Sequence, residues 1–125
     1  MSKRTVRLNS LLKEVISEVV RREIHHSPYI TEFVTITRVD ITNDLSFAKV
    51  YVSVIGDDVK KAQAVEALQL HARQIALISR KKVVMRIFPH LVFELDESLE
   101  KQLRIEELLH KVSEERAQRT TEPES

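Results

Sequence analysis

The chain has 125 residues, of which 20 are basic and 19 are acidic, so its formal net charge is only +1. Its single glycine excludes the glycine-rich loops that hold phosphate, and its lack of cysteine excludes disulfides, thiolate metal sites and cysteine nucleophiles. No apolar run approaches the roughly 18 residues that a membrane span needs, and the first residues of the sequence contain no apolar stretch of the kind found in secretory signals. We therefore expect a cytoplasmic protein with one hydrophobic core.

The charges are segregated along the chain. Residues 59–92 carry seven basic side chains and one acidic one, whereas residues 93–125 carry five basic and ten acidic ones. A nearly neutral average over such a polarised chain predicts one surface for a polyanion and another that is held away from it.

The first predicted element is an amphipathic helix over 5–24, because apolar residues recur there at the three-and-four spacing of one helix face. Its head carries Arg4 and Arg7 at the end where the helix dipole disfavours cations. That unfavourable placement indicates a binding role for both residues, with a frayed and solvated N-terminus as the alternative.

Two strands follow the helix. β-branched residues over 32–41 and clean alternation over 46–54 predict an antiparallel hairpin with a turn over 42–45. The period-two pattern changes phase between Ile36 and Val39, which predicts a bulge in the first strand.

Good helix formers over 59–79 predict a long helix, or two helices with a kink, after the capping residue Asp57. A third strand is predicted over 83–88, and it resumes over 91–95 after Pro89, which cannot donate a ladder hydrogen bond.

Asp96 is expected to cap a last helix that ends at Val112. The remaining residues lack apolar anchors. We therefore expect a folded domain over 1–112 and a disordered charged tail over 113–125.

The junction between the long helix and the third strand concentrates positive charge. Its basic residues, with one more in the helix itself, are Arg73, Arg80, Lys81, Lys82 and Arg86. A solvated helix C-terminus is one interpretation, because cations there complement the helix dipole. A patch that faces RNA phosphates is the interpretation we favour, since Glu66 is the single acid of residues 59–92.

The order of these elements resembles the ribosome-binding factor A family, a bacterial family of small-subunit assembly factors. The resemblance covers roughly 4–112, and three stretches carry it: VTITRV over 34–39, DLSFAKVYVS over 44–53 and MRIFPHLVFELDES over 85–98. It implies an α+β, type II KH-like domain in which a three-stranded mixed sheet is backed by helices.

The resemblance also implies a function without catalysis or cofactor. The protein would bind the immature 30S subunit and its 16S rRNA, promote late maturation including 16S rRNA end processing, and then leave. We expect a monomer that takes no metal. One departure from the family is that its Ala-x-Gly kink reads His71-Ala72-Arg73 here, so the kink forms without glycine or is shallower.

Two other functional classes remain open. A protein-interaction adaptor would work through the acidic C-terminal helix, and a metal-dependent nuclease would need carboxylates such as Asp96, Glu97 and Glu100 to hold two cations. Those carboxylates also suit helix capping, and no catalytic constellation accompanies them, so we expect no enzyme.

For three aromatic residues of the predicted strands and for two adjacent histidines, we prefer a structural role to a binding role. Phe33, Phe47 and Tyr51 are interpreted as ordinary sheet residues in preference to a base-stacking platform. The adjacent His25 and His26 are interpreted as the helix ending in preference to metal ligands, because neighbouring side chains diverge.

Overall fold

The computed structural model describes residues 3–24, 27–31 and 33–121, without the side chains of residues 99, 100 and 117–121. The predicted helix ending at His25 and His26 lies outside these residues. The elements are α1 (Lys3–Glu23), β1 (Val34–Ile41), β2 (Phe47–Val54), α2 (Asp58–Leu70), α3 (Ala72–Arg80), β3 (His90–Leu95) and α4 (Ser98–Thr121). The predicted α+β order is confirmed.

The three strands form one mixed sheet in the order β1-β2-β3. β1 pairs antiparallel with β2, and β2 pairs parallel with β3. The register between β1 and β2 shifts between Ile36 and Arg38, which confirms the predicted bulge. The hairpin turn is held by Asp44, whose carboxylate accepts hydrogen bonds from the hydroxyls of Thr42 and Ser46, both at 2.7 Å.

The helices cover one face of the sheet. On β2 the side chains of Ala48, Val50, Val52 and Val54 are buried, whereas the alternating residues point to an open, polar face. α1 packs on β1 and on α3, while α2 and α3 pack on β3. The buried apolar residues that these helices contribute are Leu12, Ile16, Val19, Val20, Ala64, Ala67, Leu68, Ala72 and Ile75.

The long helix breaks at His71, where the backbone has φ −92° and ψ 3°. Backbone hydrogen bonds continue across the break, since His71 N donates to Ala67 O at 3.1 Å and Ile75 N donates to His71 O at 2.9 Å. The kink of this KH-like fold therefore forms without glycine, and it leaves the side chain of Arg73 exposed.

The third strand is shorter than the sequence pattern predicts. Residues 81–89 form turns and a loop, and β3 begins only at His90, so the prediction of a strand over 83–88 is wrong. Val83 and Pro89 are buried and anchor this loop, while Val84 and Ile87 are exposed. The apolar residues of the segment therefore fasten a loop to the core instead of lining one side of a strand.

The last helix extends beyond the predicted end at Val112. α4 continues to Thr121, so residues 113–121 are helical in the structure where we predicted disorder. The continuation has a local cause, because Glu, Arg, Ala and Gln are good helix formers. All side chains over 101–116 are exposed, and α4 as bounded here carries five acidic and five basic residues. The net negative charge of residues 93–125 therefore comes from the five acidic residues that lie outside α4.

Deleting residues 113–125 should leave the melting temperature almost unchanged, because the side chains of 113–116 are exposed. Thermal unfolding followed by circular dichroism measures this, with Leu68→Ala as a positive control. Leu68 is fully buried, and its truncation should cost about 2–5 kcal/mol. A loss of several degrees in the deletion variant would show that the tail packs against the domain.

Candidate nucleic-acid interface

One end of the sheet collects three chain segments. β1 ends there at Ile41, and β2 and β3 begin there at Phe47 and His90, which are paired in register. The head of α1 reaches the same end, because Ile41 N donates a hydrogen bond of 2.9 Å to Asn9 Oδ1. Arg7 lies two residues before Asn9, so the first turns of α1 stand at this end of the sheet.

The C-terminus of α3 brings further positive charge to the same end. Arg80 is the last residue of α3 and lines a cleft together with Phe47 and His90. Lys81 and Lys82 close the helix, donating their backbone N–H groups to Ile78 O and Ser79 O at 3.2 and 3.0 Å. We call this end, with Arg4, Arg7, Arg80, Lys81 and Lys82, the basic end of the domain. Arg73 lies further along α3 and lines the same cleft as Arg80, and Arg86 lies in the loop that leads to β3.

The cleft lies between α2, α3 and β3 and has a volume of about 780 Å³. Arg73 and Arg80 both line it. They are seven residues apart, which places them on the same side of α3 about 10 Å from one another. Two guanidinium groups along one open cleft can each contact a phosphate of a strand that lies in it.

The cations of the basic end have no carboxylate partner within the described ranges. The ion pairs recorded there involve other basic residues: Arg22 with Glu18, Arg38 with Asp40, Lys49 with Glu94, and His110 with Glu114. Unpaired cations gathered at one end attract polyanions, since phosphate contacts release condensed counterions.

The open face of the sheet is electrostatically different. Arg38 stacks on the ring of Tyr51, 4.3 Å from its centroid, and lies 3.1 Å from Asp40. A hydrogen bond with Tyr51, and then the charge of Asp40, raise the pKa of Arg38. Lys49 is likewise neutralised by Glu94 at 3.8 Å. The basic residues of this face are therefore engaged within the fold.

Other basic residues of the 59–92 segment stay outside the basic end. Lys60 stands in the first turn of α2, at the opposite end of the sheet, and Lys61 is buried. Arg86 is exposed in the loop before β3, and Arg73 lies about 10 Å from Arg80 along α3, so these two predicted site residues adjoin the basic end without belonging to it. The basic residues of segment 59–92 are therefore close in sequence but do not all lie on one surface of the structure.

Sequence reasoning missed the ring pair at the mouth of the cleft. The rings of Phe47 and His90 lie 5.6 Å apart at an interplanar angle of 41°. Phe33 stands at the opposite end of the sheet, where its carbonyl accepts from Ile55 N, and Tyr51 is covered by Arg38. The alternation of Phe47 with buried Ala48 could have marked it as exposed, but only the parallel pairing of β2 and β3 brings His90 beside it.

The carboxylate of Asp96 is committed to structural hydrogen bonds. It accepts from the Ser98 hydroxyl at 2.5 Å and from Thr37 Oγ1 at 2.6 Å, and these contacts lower the pKa of Asp96 to about 2. Within the described residues, no group of three or more His, Asp or Glu side chains could hold a metal ion.

None of the helices described is both long and apolar enough to cross a membrane.

Comparison with known proteins identifies relatives along nearly the whole chain. The sequence model of the family described as Ribosome-binding factor A matches residues 4–109. The ribosome-binding factor A of Protochlamydia amoebophila is 56% identical over 93% of this chain and 88% of its own. That of Clostridium novyi is 39% identical over 88% of this chain and 90% of its own.

Solved structures share the fold. A crystal structure of ribosome-binding factor A from Thermus thermophilus has a TM-score of 0.64 at 24% identity and covers 73% of this chain and 94% of its own. Coordinates of the Thermus thermophilus factor fitted into a cryo-electron microscopy map of a 30S complex have a TM-score of 0.59 at 24% identity. They cover 71% of this chain and 91% of their own.

Proposed function

Because the chain belongs to the ribosome-binding factor A family, we propose that it assists assembly of the small ribosomal subunit by binding immature 30S particles through their 16S rRNA. One observation supports this most directly. The basic side chains of the basic end, with Arg73 in the adjoining cleft and Arg86 in the adjoining loop, have no carboxylate partner in the described structure. Such an end attracts folded RNA, whose phosphates are dense and fixed in position.

The contacts divide by chemistry. Arg4, Arg7, Lys81, Lys82 and Arg86 are exposed and suit phosphates on the RNA surface. Arg73 and Arg80 instead line the cleft, where a single strand has room to enter. Phosphate contacts position the protein, and the shape of the RNA supplies most of the specificity.

The proposed mechanism is conformational. The bound protein would hold 16S rRNA near the neck of the subunit in an arrangement that permits end maturation and blocks early entry into translation, and would then leave. This role requires no bond to be made or broken by the protein, and we place it in the cytoplasm, where ribosomes are assembled.

The protein should co-sediment with free 30S subunits and be depleted from 70S ribosomes and polysomes, because a factor at the neck collides with translating partners. Sucrose-gradient fractions probed with an antibody to the protein measure this. A variant with the two cations of the cleft reversed, Arg73→Glu/Arg80→Glu, provides the matched control and should remain at the top of the gradient. Association mainly with 50S subunits, or an even distribution, would contradict the proposal.

The adaptor alternative retains one structural observation in its favour. Several apolar side chains of α4 are exposed: Leu103, Ile105, Leu108, Leu109 and Val112. Four of them, at 105, 108, 109 and 112, follow the spacing with which a helix enters an apolar groove. α4 is therefore the surface that has to be tested against the basic end.

A further inference from the structure

The two edge strands of the sheet, β1 and β3, differ in whether their outward backbone groups have hydrogen-bond partners. At the β3 edge, Gln69 of α2 occupies the outward backbone groups, donating from Nε2 to Leu91 O at 3.2 Å and accepting from Phe93 N at 2.9 Å. The amide side chain thereby takes the place of a neighbouring strand. A further strand could pair at Leu91 and Phe93 only by displacing this side chain.

The β1 edge is covered only at its ends. Val34 N donates to Thr31 O at 3.1 Å, and Ile41 N donates to Asn9 Oδ1 at 2.9 Å. In an antiparallel pair the backbone groups of alternate residues face away from the partner strand. Since Ile55 N bonds to Phe33 O, the outward residues in the first half of β1 are Val34 and Ile36.

In the first half of β1, three backbone groups therefore face outward beyond Val34 N: the carbonyl of Val34 and both the N–H and the carbonyl of Ile36. In the part of the chain that the structure describes, no recorded hydrogen bond reaches them. They lie along a groove of about 1050 Å³ between β1 and α1. An unpaired strand edge at the side of a groove is the arrangement in which proteins accept an added strand.

The walls of the groove restrict what can enter. Val20, Ile30 and Ile36 supply apolar surface, and the α1 wall carries two cations and two carboxylates, Lys13, Arg21, Glu14 and Glu18. Because these charges balance, the groove offers a nucleic-acid strand no net positive charge. A second folded copy would bring its own covering helix against α1, whereas a single extended peptide carries nothing that collides with this wall.

We propose that the groove between α1 and the β1 edge binds an extended peptide segment of a partner protein as a fourth strand, with apolar side chains at alternate positions. The segment pairs with Val34 and Ile36, and its inward side chains contact Val20 and Ile30. The site lies on the side of the sheet away from the cleft at β3, so it remains available while the basic end holds RNA.

The test uses the full-length protein labelled with ¹⁵N and a soluble peptide of alternating valine and threonine with lysines at both ends. Titration should shift the amide signals of β1 and α1, and saturating peptide should slow hydrogen exchange at Ile36 by about tenfold or more. Two isomers of the peptide carry N-methyl groups on alternate residues. Strand pairing predicts that one isomer loses binding and the other keeps it.

Groove variants provide a second measurement. Ser17→Trp fills the groove from the α1 wall and should abolish the peptide-induced shifts, whereas Leu11→Trp, on an exposed part of the same helix outside the groove, should preserve them. Three results would overturn the proposal: equal binding of both N-methyl isomers, no shifts at millimolar peptide, or an Ile36 amide already protected in the free protein. Protection that grows with protein concentration would identify a second copy as the occupant and would equally overturn it. If Ser17→Trp fails to fold, the N-methyl isomers decide the question alone.

Discussion

Replacing Arg80, Lys81 and Lys82 together by glutamate should abolish binding to 30S subunits while leaving the domain folded. These side chains are exposed, and charge reversal at exposed sites changes stability by only a few tenths of a kcal/mol each, with about 0.3–1 kcal/mol more where the helix dipole is opposed. Binding should respond much more strongly. If the basic end neutralises about 4 to 6 phosphates, log K against log salt has a slope of about −3 to −5, and reversal should flatten it.

The matched control is a reversal of equal size on α4, Lys101→Glu/Arg104→Glu/Lys111→Glu. These three cations are also exposed. The proposed RNA interface predicts that the α4 variant keeps both affinity and salt slope, whereas an adaptor working through α4 predicts the reverse pattern. A variant at positions 80–82 that is folded by circular dichroism and binds with unaltered affinity and slope would remove the basis of the RNA proposal.

Most of the fold follows from local sequence signals. The alternation over 46–54 predicts β2 and its buried side, and the phase change after Ile36 predicts the bulge. Asp57 caps α2 as expected, accepting from Lys60 N at 2.8 Å. These features are decided by neighbours within a few residues, which a sequence pattern records directly.

The errors arise where distant contacts decide the structure. Val83 and Met85 have the spacing of a strand, but Val83 and Pro89 pack into the core and hold the segment as a loop. The break at His71 is one of the two outcomes that the sequence left open, and it forms without glycine while backbone hydrogen bonds persist on both sides of it. Sequence alone does not show which of these outcomes tertiary packing favours.

For the candidate site too, the sequence predicts some features, and others depend on the tertiary structure. Charge segregation predicts the basic residues, but not which of them share a surface. Lys61 is buried by its position on α2, and Arg38 is neutralised by Asp40. Phe47 and His90 are 43 positions apart, and only the parallel register between β2 and β3 makes them neighbours.

The ring pair at the cleft leads to the second large expected effect. Phe47→Leu should weaken binding of a short single-stranded RNA by about 1–3 kcal/mol, because stacking of one base on an aromatic ring is worth about that amount. Phe47 is 47% exposed beside His90 and at the mouth of the cleft that Arg73 and Arg80 line, so a base that enters the cleft meets its ring. Leucine preserves apolar volume but removes the π face.

The measurement is fluorescence quenching of 2-aminopurine placed within the RNA, recorded at several salt concentrations. Phe33→Leu is the matched control, since Phe33 is 51% exposed but lies at the opposite end of the sheet. The Phe47 variant should lose affinity and quenching with an unchanged salt slope, because stacking neutralises no phosphate, whereas reversal of Arg80 flattens the slope. If the Phe47 variant keeps full affinity and quenching, the ring at the cleft contacts no base and the basic end binds RNA through phosphates alone.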